Sequence, residues 1–223
     1  MFDLTLDGPV ARLRLDRPEA RNAIPAHGWA RLAQRCGEAE AAGARLLVLA
    51  GTEAAFCAGA DLADFPAFAA DSGKASAFRL VMRRGLDSVR DLPIATLALI
   101  EGPCFGAGVA LAMACDLRVA GPGARFAITP AKFGISYPQE DVARLVGLVG
   151  PGQASRLLLG AGTVDALAAA ICANSAESVA VLKRAIRLAA AGVGRDEEQD
   201  RRFDAMFGSG ELRERLAALR PPR

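Results

Sequence analysis

The chain has 223 residues, 52% of them apolar, which is enough for one full core or a core with a small appendage. Its 27 Lys and Arg stand against 25 Asp and Glu, so it has no basic excess of the kind that marks a nucleic-acid-binding surface. Five scattered cysteines without a CxxC pair, and a single histidine, argue against a disulfide framework, a metal centre and a Ser-His-Asp triad, and predict a reducing, cytoplasmic setting.

The first residues, "MFDLTLDGPVARLRLDRP", alternate and carry charge, so they read as neither a signal peptide nor a membrane span. "FDLTL" and "VARLRL", joined by Asp7-Gly8-Pro9, predict a β-hairpin. Pro25 to Ala42 is Ala-rich, with apolar residues at helical spacing, and stops near Gly43, which predicts a helix carrying His27 at its exposed start. Arg45–Gly51 and Pro93–Gly102 read as buried strands with a helix over Ala75–Leu92 between them. Gly106–Ala114 follows as a helix, "DLRVAG" and "ARFAI" as strands, and everything from Pro138 onward as helical. Strand–helix alternation followed by a run of helices predicts an α/β core with helices on the faces of its parallel sheet and a helical C-terminal part.

Two glycine-rich turns carry the chemistry. In "IEGPCFGAGVALAMACD" (Ile100–Asp116) a turn separates a strand from an uncharged helix. Such a turn exposes amide groups that have no intrahelical partner, at the positive end of the helix dipole. Gly106, Ala107 and Gly108 are small enough for a ligand to approach the main chain, although tight helix–sheet packing explains the same composition. A dinucleotide fingerprint is incomplete, because Leu111 stands where the third glycine belongs. "LLVLAGTEAAFCAGADL" repeats the pattern with Ala58-Gly59-Ala60-Asp61. Two such turns after adjacent strands can aim two donors at one thioester or ester oxygen, which is an oxyanion hole.

"RPEARNAI" (Arg17–Ile24), "FCAGADL" (Phe56–Leu62) and "EGPCFGAGVALAMACDLRVAG" (Glu101–Gly121) occur in the order and at the spacing of the crotonase superfamily, the enoyl-CoA hydratase/isomerase family, which this sequence resembles. The likeness continues through "ARFAITPAKFGISYP", "VARLVGLVGPGQASRLLLGAGTVDA", "ANSAESVAVLKRAI" and the C-terminal "FDAMFGSGELRERLAALRPPR". It implies an α/β fold with a ββα-repeat spiral core over residues 1–137, and a helical trimerisation region over 138–223. It also implies a homotrimer or dimer of trimers, and an acyl-coenzyme A substrate of fatty acid metabolism. Coenzyme A enters as part of that substrate, with no resident cofactor, metal, membrane or nucleic-acid partner. The family's two oxyanion donors fall on the backbone N–H groups of Ala60 and Ala107. Its coenzyme A contacts fall on Arg17, Arg21, Ala23, Ala58, Gly59 and Gly106; the two arginines read equally as solvated loop residues.

The chain departs from the family where proton transfer is expected. Hydratases of the family use two glutamates, one for the water proton and one for the α-carbon proton. Ala110 stands at the first position and Pro130 or Ala131 at the second. Tyr137, the single tyrosine, falls on the active-site tyrosine of the family's methylmalonyl-CoA decarboxylase branch; it reads as a proton donor or as a half-buried structural residue. That branch has a histidine where this chain has Ala60. Glu140 and Asp141 are the nearest carboxylates in sequence, with a catalytic role or a helix-start role open to them. Asp61 reads as a helix cap, and Cys57 and Cys104 as buried apolar residues or, less conventionally, acyl-accepting thiols. Near residue 170 the resemblance implies that a connecting segment carried by relatives is either deleted or missing. These departures leave isomerisation, decarboxylation or thioester hydrolysis beside hydration, with a non-catalytic coenzyme A-binding paralogue or assembly subunit as the alternative.

Overall fold

The computed structural model describes residues 1–52, 54–160 and 171–218. These divide into two compact units, the first comprising 1–64 and 78–127, the second 65–77 and 128–223. The connecting segment expected to be missing near residue 170 falls outside the described residues.

The first unit is built on a five-stranded sheet. Strands β1 (Phe2–Asp7) and β2 (Val10–Leu15) form the expected hairpin, with Asp7 opposite Val10 across a turn at Gly8-Pro9. Strands β3 (Leu46–Ala50), β4 (Ala95–Ile100) and β6 (Leu117–Ala120) then add in parallel, giving the order β1-β2-β3-β4-β6. A separate parallel pair joins β5 (Pro103–Phe105) to β7 (Arg125–Ala127). Helices α1 (Ala26–Ala41) and α4 (Ala107–Ala114) belong to this unit, as does α3 (Ser72–Arg90) from Phe78 onward.

Register puts Ala11, Leu13, Leu47, Leu49, Thr96 and Ala98 on one face of the sheet, and all are buried. Trp29 and Leu32 of α1 and Leu86 and Val89 of α3 are buried at helical spacing in the same unit. The opposite face differs from the expectation of a sheet covered on both sides. Leu99, Leu117 and Val119 are 37%, 57% and 50% exposed there, among Arg12 and Arg14. The hydrophobic alternation of β4 and β6 is thus spent partly on solvent.

One polar clasp fixes where α4 ends. The Thr96 amide and hydroxyl both donate to Asp116 Oδ2 (2.8 and 2.9 Å), and the Asp116 amide donates back to Thr96 Oγ1 (2.8 Å). Asp116, two residues past the helix, is thereby bolted to the start of β4, so strand and helix share one reference point. Arg118 reinforces it by donating to the carbonyl oxygens of Ala112, Cys115 and Asp116 at the helix C-terminus.

The second unit is helical: α2 (Phe65–Ala70), α5 (Gln139–Leu159), α6 (Ala176–Ala190), α7 (Glu197–Phe207) and α8 (Gly210–Ala218), with a 3-10 turn at Pro130–Phe133. Phe65, Phe68, Phe203 and Phe207 cluster with ring centroids 5.2–5.9 Å apart. Helix α5 bends at Gly150, where Pro151 starts a new turn. No helix among the described residues is long and apolar enough to cross a membrane.

Replacing Thr96 by Val removes both hydroxyl bonds of the clasp while keeping the side-chain shape. We expect about 1–2 kcal/mol of lost stability, read from the midpoint of urea unfolding.

Candidate active site

Strand β3 ends at Ala50, and a tight turn paired at Thr52 and Ala55 redirects the chain. Phe56 and Cys57 then run alongside β5. The amides of Phe56 and Cys57 donate to the Pro103 carbonyl (3.0 and 3.2 Å), and the Phe105 amide donates to the Cys57 carbonyl (2.9 Å). The bridge is parallel, with Cys57 opposite Cys104. Two parallel chains leave a bridge in the same direction, and the third residue beyond each partner lies at the turn that follows. Those positions are Ala60 and Ala107.

The glycines permit this approach. Gly59 has φ +102° and Gly106 φ +50° with ψ −121°, conformations that β-carbon-bearing residues rarely adopt. A methyl group on Gly59 would lie 2.8 Å from the Phe105 carbonyl oxygen and 3.1 Å from the Ala107 nitrogen. With standard bond lengths added, the Ala60 and Ala107 nitrogens are separated by no more than roughly 7 Å. Gly108 is equally constrained, since a methyl there would meet the Cys57 carbonyl oxygen at 2.4 Å.

Peptide planarity sets where the two N–H groups point. The Gly59 carbonyl accepts from the Ile24 amide at 2.7 Å, so the Ala60 N–H of the same trans peptide faces away from Ile24. The Gly106 carbonyl accepts from the Val109 amide at 3.0 Å, so the Ala107 N–H points out of the N-terminus of α4. Neither amide donates to a described residue. Ala107 is buried and Ala60 partly so.

The segment Arg17–Ile24 braces the first turn. The Ala58 amide donates to the Arg21 carbonyl and the Asp61 amide to the Ile24 carbonyl, both at 3.0 Å. Arg17 Nη1 donates to Asp61 Oδ2 (2.5 Å) and to the carbonyl oxygen of buried Ala23 (3.0 Å). The hydrogen bond from Arg17 stabilises both charges: it raises the Arg17 pKa, while burial pushes the Asp61 carboxyl up and the Ala63 amide and Arg17 more than offset this, leaving it below the usual carboxylate range. Asp61 Oδ1 accepts from the Ala63 amide, the expected capping role. Asp64, three residues on, accepts from the Ala26 amide at the start of α1 (2.7 Å). Of the two arginines assigned to coenzyme A by resemblance, Arg17 is therefore tied within the protein, whereas Arg21 is exposed.

Asn22 went unnoticed in the sequence. It is fully buried at φ +59°, with Arg21 at φ +50°, the two non-glycine residues of positive φ among those described. Its side chain accepts from the Arg17 amide (2.8 Å) and donates to the Ala55 carbonyl (2.8 Å) and Thr52 Oγ1 (3.3 Å). Asn tolerates this backbone better than other residues and satisfies three neighbours at once. An Asn after Arg in a loop opening on Pro was the available signal.

The other candidates fall as follows. Ala110 is fully buried in α4, and Pro130 and Ala131 are buried in the 3-10 turn. Tyr137, Glu140 and Asp141 belong to the second unit. Tyr137 is 6% exposed, Glu140 pairs with Arg195 (2.6 Å) and Asp141 is buried, the two carboxylates in the first turn of α5. His27 is exposed in the first turn of α1. No group of three or more metal-ligating side chains is present among the described residues.

Comparison with known proteins identifies the class: the enoyl-CoA hydratase/isomerase family model matches residues 6–191, and the chain belongs to that family. It is 39% identical over 167 residues to a probable enoyl-CoA hydratase, echA6, of Mycobacterium tuberculosis, across 74% of this chain and 65% of that one. It is 28% identical over 157 residues to the ethylmalonyl-CoA decarboxylase of Xenopus tropicalis, across 70% of this chain and 52% of that one. The chain thus spans between about half and two thirds of the length of these relatives. The crystal structure of a putative enoyl-CoA hydratase/isomerase family protein from Hyphomonas neptunium superposes with a TM-score of 0.68 at 32% identity, covering 97% of this chain and 88% of that one. The α/β architecture is accordingly the crotonase fold expected from the sequence.

The cysteines of the two turns are poor nucleophiles. Burial pushes the Cys57 thiol up to about 12 and Cys104 higher still, so both are almost wholly protonated at neutral pH. Cys36 and Cys115 are likewise buried and raised, to about 11 and about 12, while Cys172 is exposed. A chromogenic thiol reagent at pH 8 should modify one cysteine in the native protein and all five after denaturation. Rapid native labelling of Cys57 or Cys104 would restore the acyl-thiol alternative.

Proposed function

We propose that this chain holds the thioester carbonyl of an acyl-coenzyme A between the Ala60 and Ala107 N–H groups and stabilises the enolate formed from it. The observation that carries this reading is a pair of neighbouring amides that donate to no described residue, one facing away from Ile24 and the other out of the N-terminus of α4. Amides fixed before the substrate arrives need no reorganisation as charge develops on the oxygen, and each such donor contributes about 10²–10³-fold in rate. Arg21, exposed beside the Ala58 turn, is the side chain of this segment open to the coenzyme A phosphates.

The reaction is selected by what the site lacks. Hydration needs one group to activate water and one to protonate the α-carbon, and by the resemblance the methyl group of Ala110 stands at the position of one carboxylate and Pro130 or Ala131 at that of the other. Decarboxylation of a malonyl-type thioester needs no base. The bond from the α-carbon to the carboxylate breaks, carbon dioxide leaves, and the electron pair passes into the enolate until a proton returns to the α-carbon. The decarboxylase among the relatives fits this economy. The family resemblance alone names Tyr137 as a candidate proton donor, and nearness in sequence names Glu140 and Asp141 as the further candidates. Isomerisation and thioester hydrolysis make greater demands on an acid–base group. A non-catalytic acyl-coenzyme A-binding protein is the second reading, favoured by the fully buried Ala110 in an uncharged helix.

Purified protein is offered methylmalonyl-CoA, crotonyl-CoA and a pair of enoyl isomers. Faster turnover of methylmalonyl-CoA than of crotonyl-CoA supports the enolate reading; binding of all with turnover of none supports the second. Ala107 is the first residue of α4, where proline is tolerated, so Ala107→Pro deletes one N–H with little cost to the helix. We expect it to reduce turnover by about 10²–10³-fold while binding of free coenzyme A is retained. Unchanged turnover would refute the two-amide site.

A further inference from the structure

We infer that Arg17 and Asp61 form a positioning pair that holds the Ala60 N–H in its donating direction, rather than Arg17 serving as a contact for coenzyme A. This inference rests on the two-amide reading above and adds to it the device that keeps the first donor aimed. Ala60 lies on a turn whose backbone bonds to Ile24 on both sides, through the Gly59 carbonyl and the Asp61 amide. Those two bonds orient the Ala60 peptide only as well as the segment Arg17–Ile24 is itself held. That segment contains the two left-handed residues Arg21 and Asn22, a conformation that persists where surrounding contacts over-determine it.

Arg17 supplies the closure. It lies at the start of the segment and reaches its far end at Ala23 O and the turn itself at Asp61 Oδ2 with the same Nη1 atom. Its backbone amide is also engaged, donating to Asn22 Oδ1. The pair is partly shielded, with side-chain exposures of 29% and 14%, so solvent and salt screen it less than a surface pair. Asp61 meanwhile accepts from the Ala63 amide with its other oxygen, which locks the side-chain rotamer facing Arg17. Breaking the pair leaves the donor present but lets its plane rotate. Small misplacements of this kind cost up to about 10²-fold in rate without removing a reacting group.

The test reads the direction of the amide, not activity alone. Crotonyl-CoA labelled with ¹³C at the thioester carbonyl is bound to each folded variant, and its carbonyl stretch is measured by isotope-edited infrared spectroscopy. In the unaltered chain the stretch shifts below that of free crotonyl-CoA. Arg17→Ala and Asp61→Ala are expected to lose most of that shift, while affinity for free coenzyme A, which neither side chain contacts in this inference, changes by less than about fivefold. Arg17→Lys, which restores the charge opposite Asp61, should recover part of the shift. Should Asp61→Ala fail to fold, Asp61→Asn keeps the acceptor for the Ala63 amide and is expected to lose the shift in the same way. A full shift in Arg17→Ala overturns the inference, and so does a loss of free coenzyme A affinity that parallels the loss of shift, because it makes Arg17 a ligand contact. Ala107→Pro separates the two levels. If it and the unaltered chain give the same stretch, or if the unaltered chain shows no shift or no binding, the two-amide reading itself fails. If it loses the shift while the Arg17 and Asp61 variants keep it, only the positioning pair is wrong.

Discussion

A single parallel bridge, Cys57 against Cys104, governs the geometry of this protein's candidate site. It forces two chain segments to leave the sheet in one direction and in register, so that their next turns arrive together. The Ala58 and Gly106 amides just beyond the bridge are still satisfied, by the Arg21 and Ala127 carbonyls, whereas those of Ala60 and Ala107 donate to no described residue. Peptide orientation leaves them so: the Gly59 carbonyl is held by the Ile24 amide and the Gly106 carbonyl by the Val109 amide, which turns the following N–H the other way. Burying N–H groups without partners is costly, and such groups persist at positions that have a use for them.

The surrounding packing serves the same constraint. Gly108 lets α4 press against the Cys57 carbonyl, and Gly59 lets its turn touch the Ala107 nitrogen. The Thr96–Asp116 clasp fixes the far end of α4, while the bonds from Arg17–Ile24 and from Ala26 to Asp64 fix the turn from outside. Catalysis by preorganised dipoles depends on such rigidity, because donors that must reorient lose their advantage over water. Side-chain chemistry is sparse by comparison. The charges that accompany the first turn neutralise one another, and the turn cysteines are held protonated by burial.

Much of this was legible in the sequence, for identifiable reasons. The hairpin, the buried strands and the helices are carried by hydrophobic period, and glycine marks both turns because few other residues could occupy them. What escaped notice depends on contacts distant in sequence. Asn22 and the partner of Asp61 are set by tertiary hydrogen bonds that no local pattern encodes. The three-residue strand Pro103–Phe105 is too short to show a period, although it carries the decisive bridge. The open face of the sheet also escaped, since a buried-strand composition does not say which partner buries it. Conversely, the expectation that Ala110 and Pro130 or Ala131 stand where the family has glutamates came from the resemblance, and none of the three side chains carries a carboxylate.

The most direct test of the central claim observes the two amides themselves. In protein labelled with ¹⁵N-alanine, the Ala60 and Ala107 N–H resonances are followed during titration with crotonyl-CoA and, separately, with free coenzyme A. Both resonances should move downfield together with the thioester and stay in place with coenzyme A alone. Movement of only one of them, or of neither, would contradict the account.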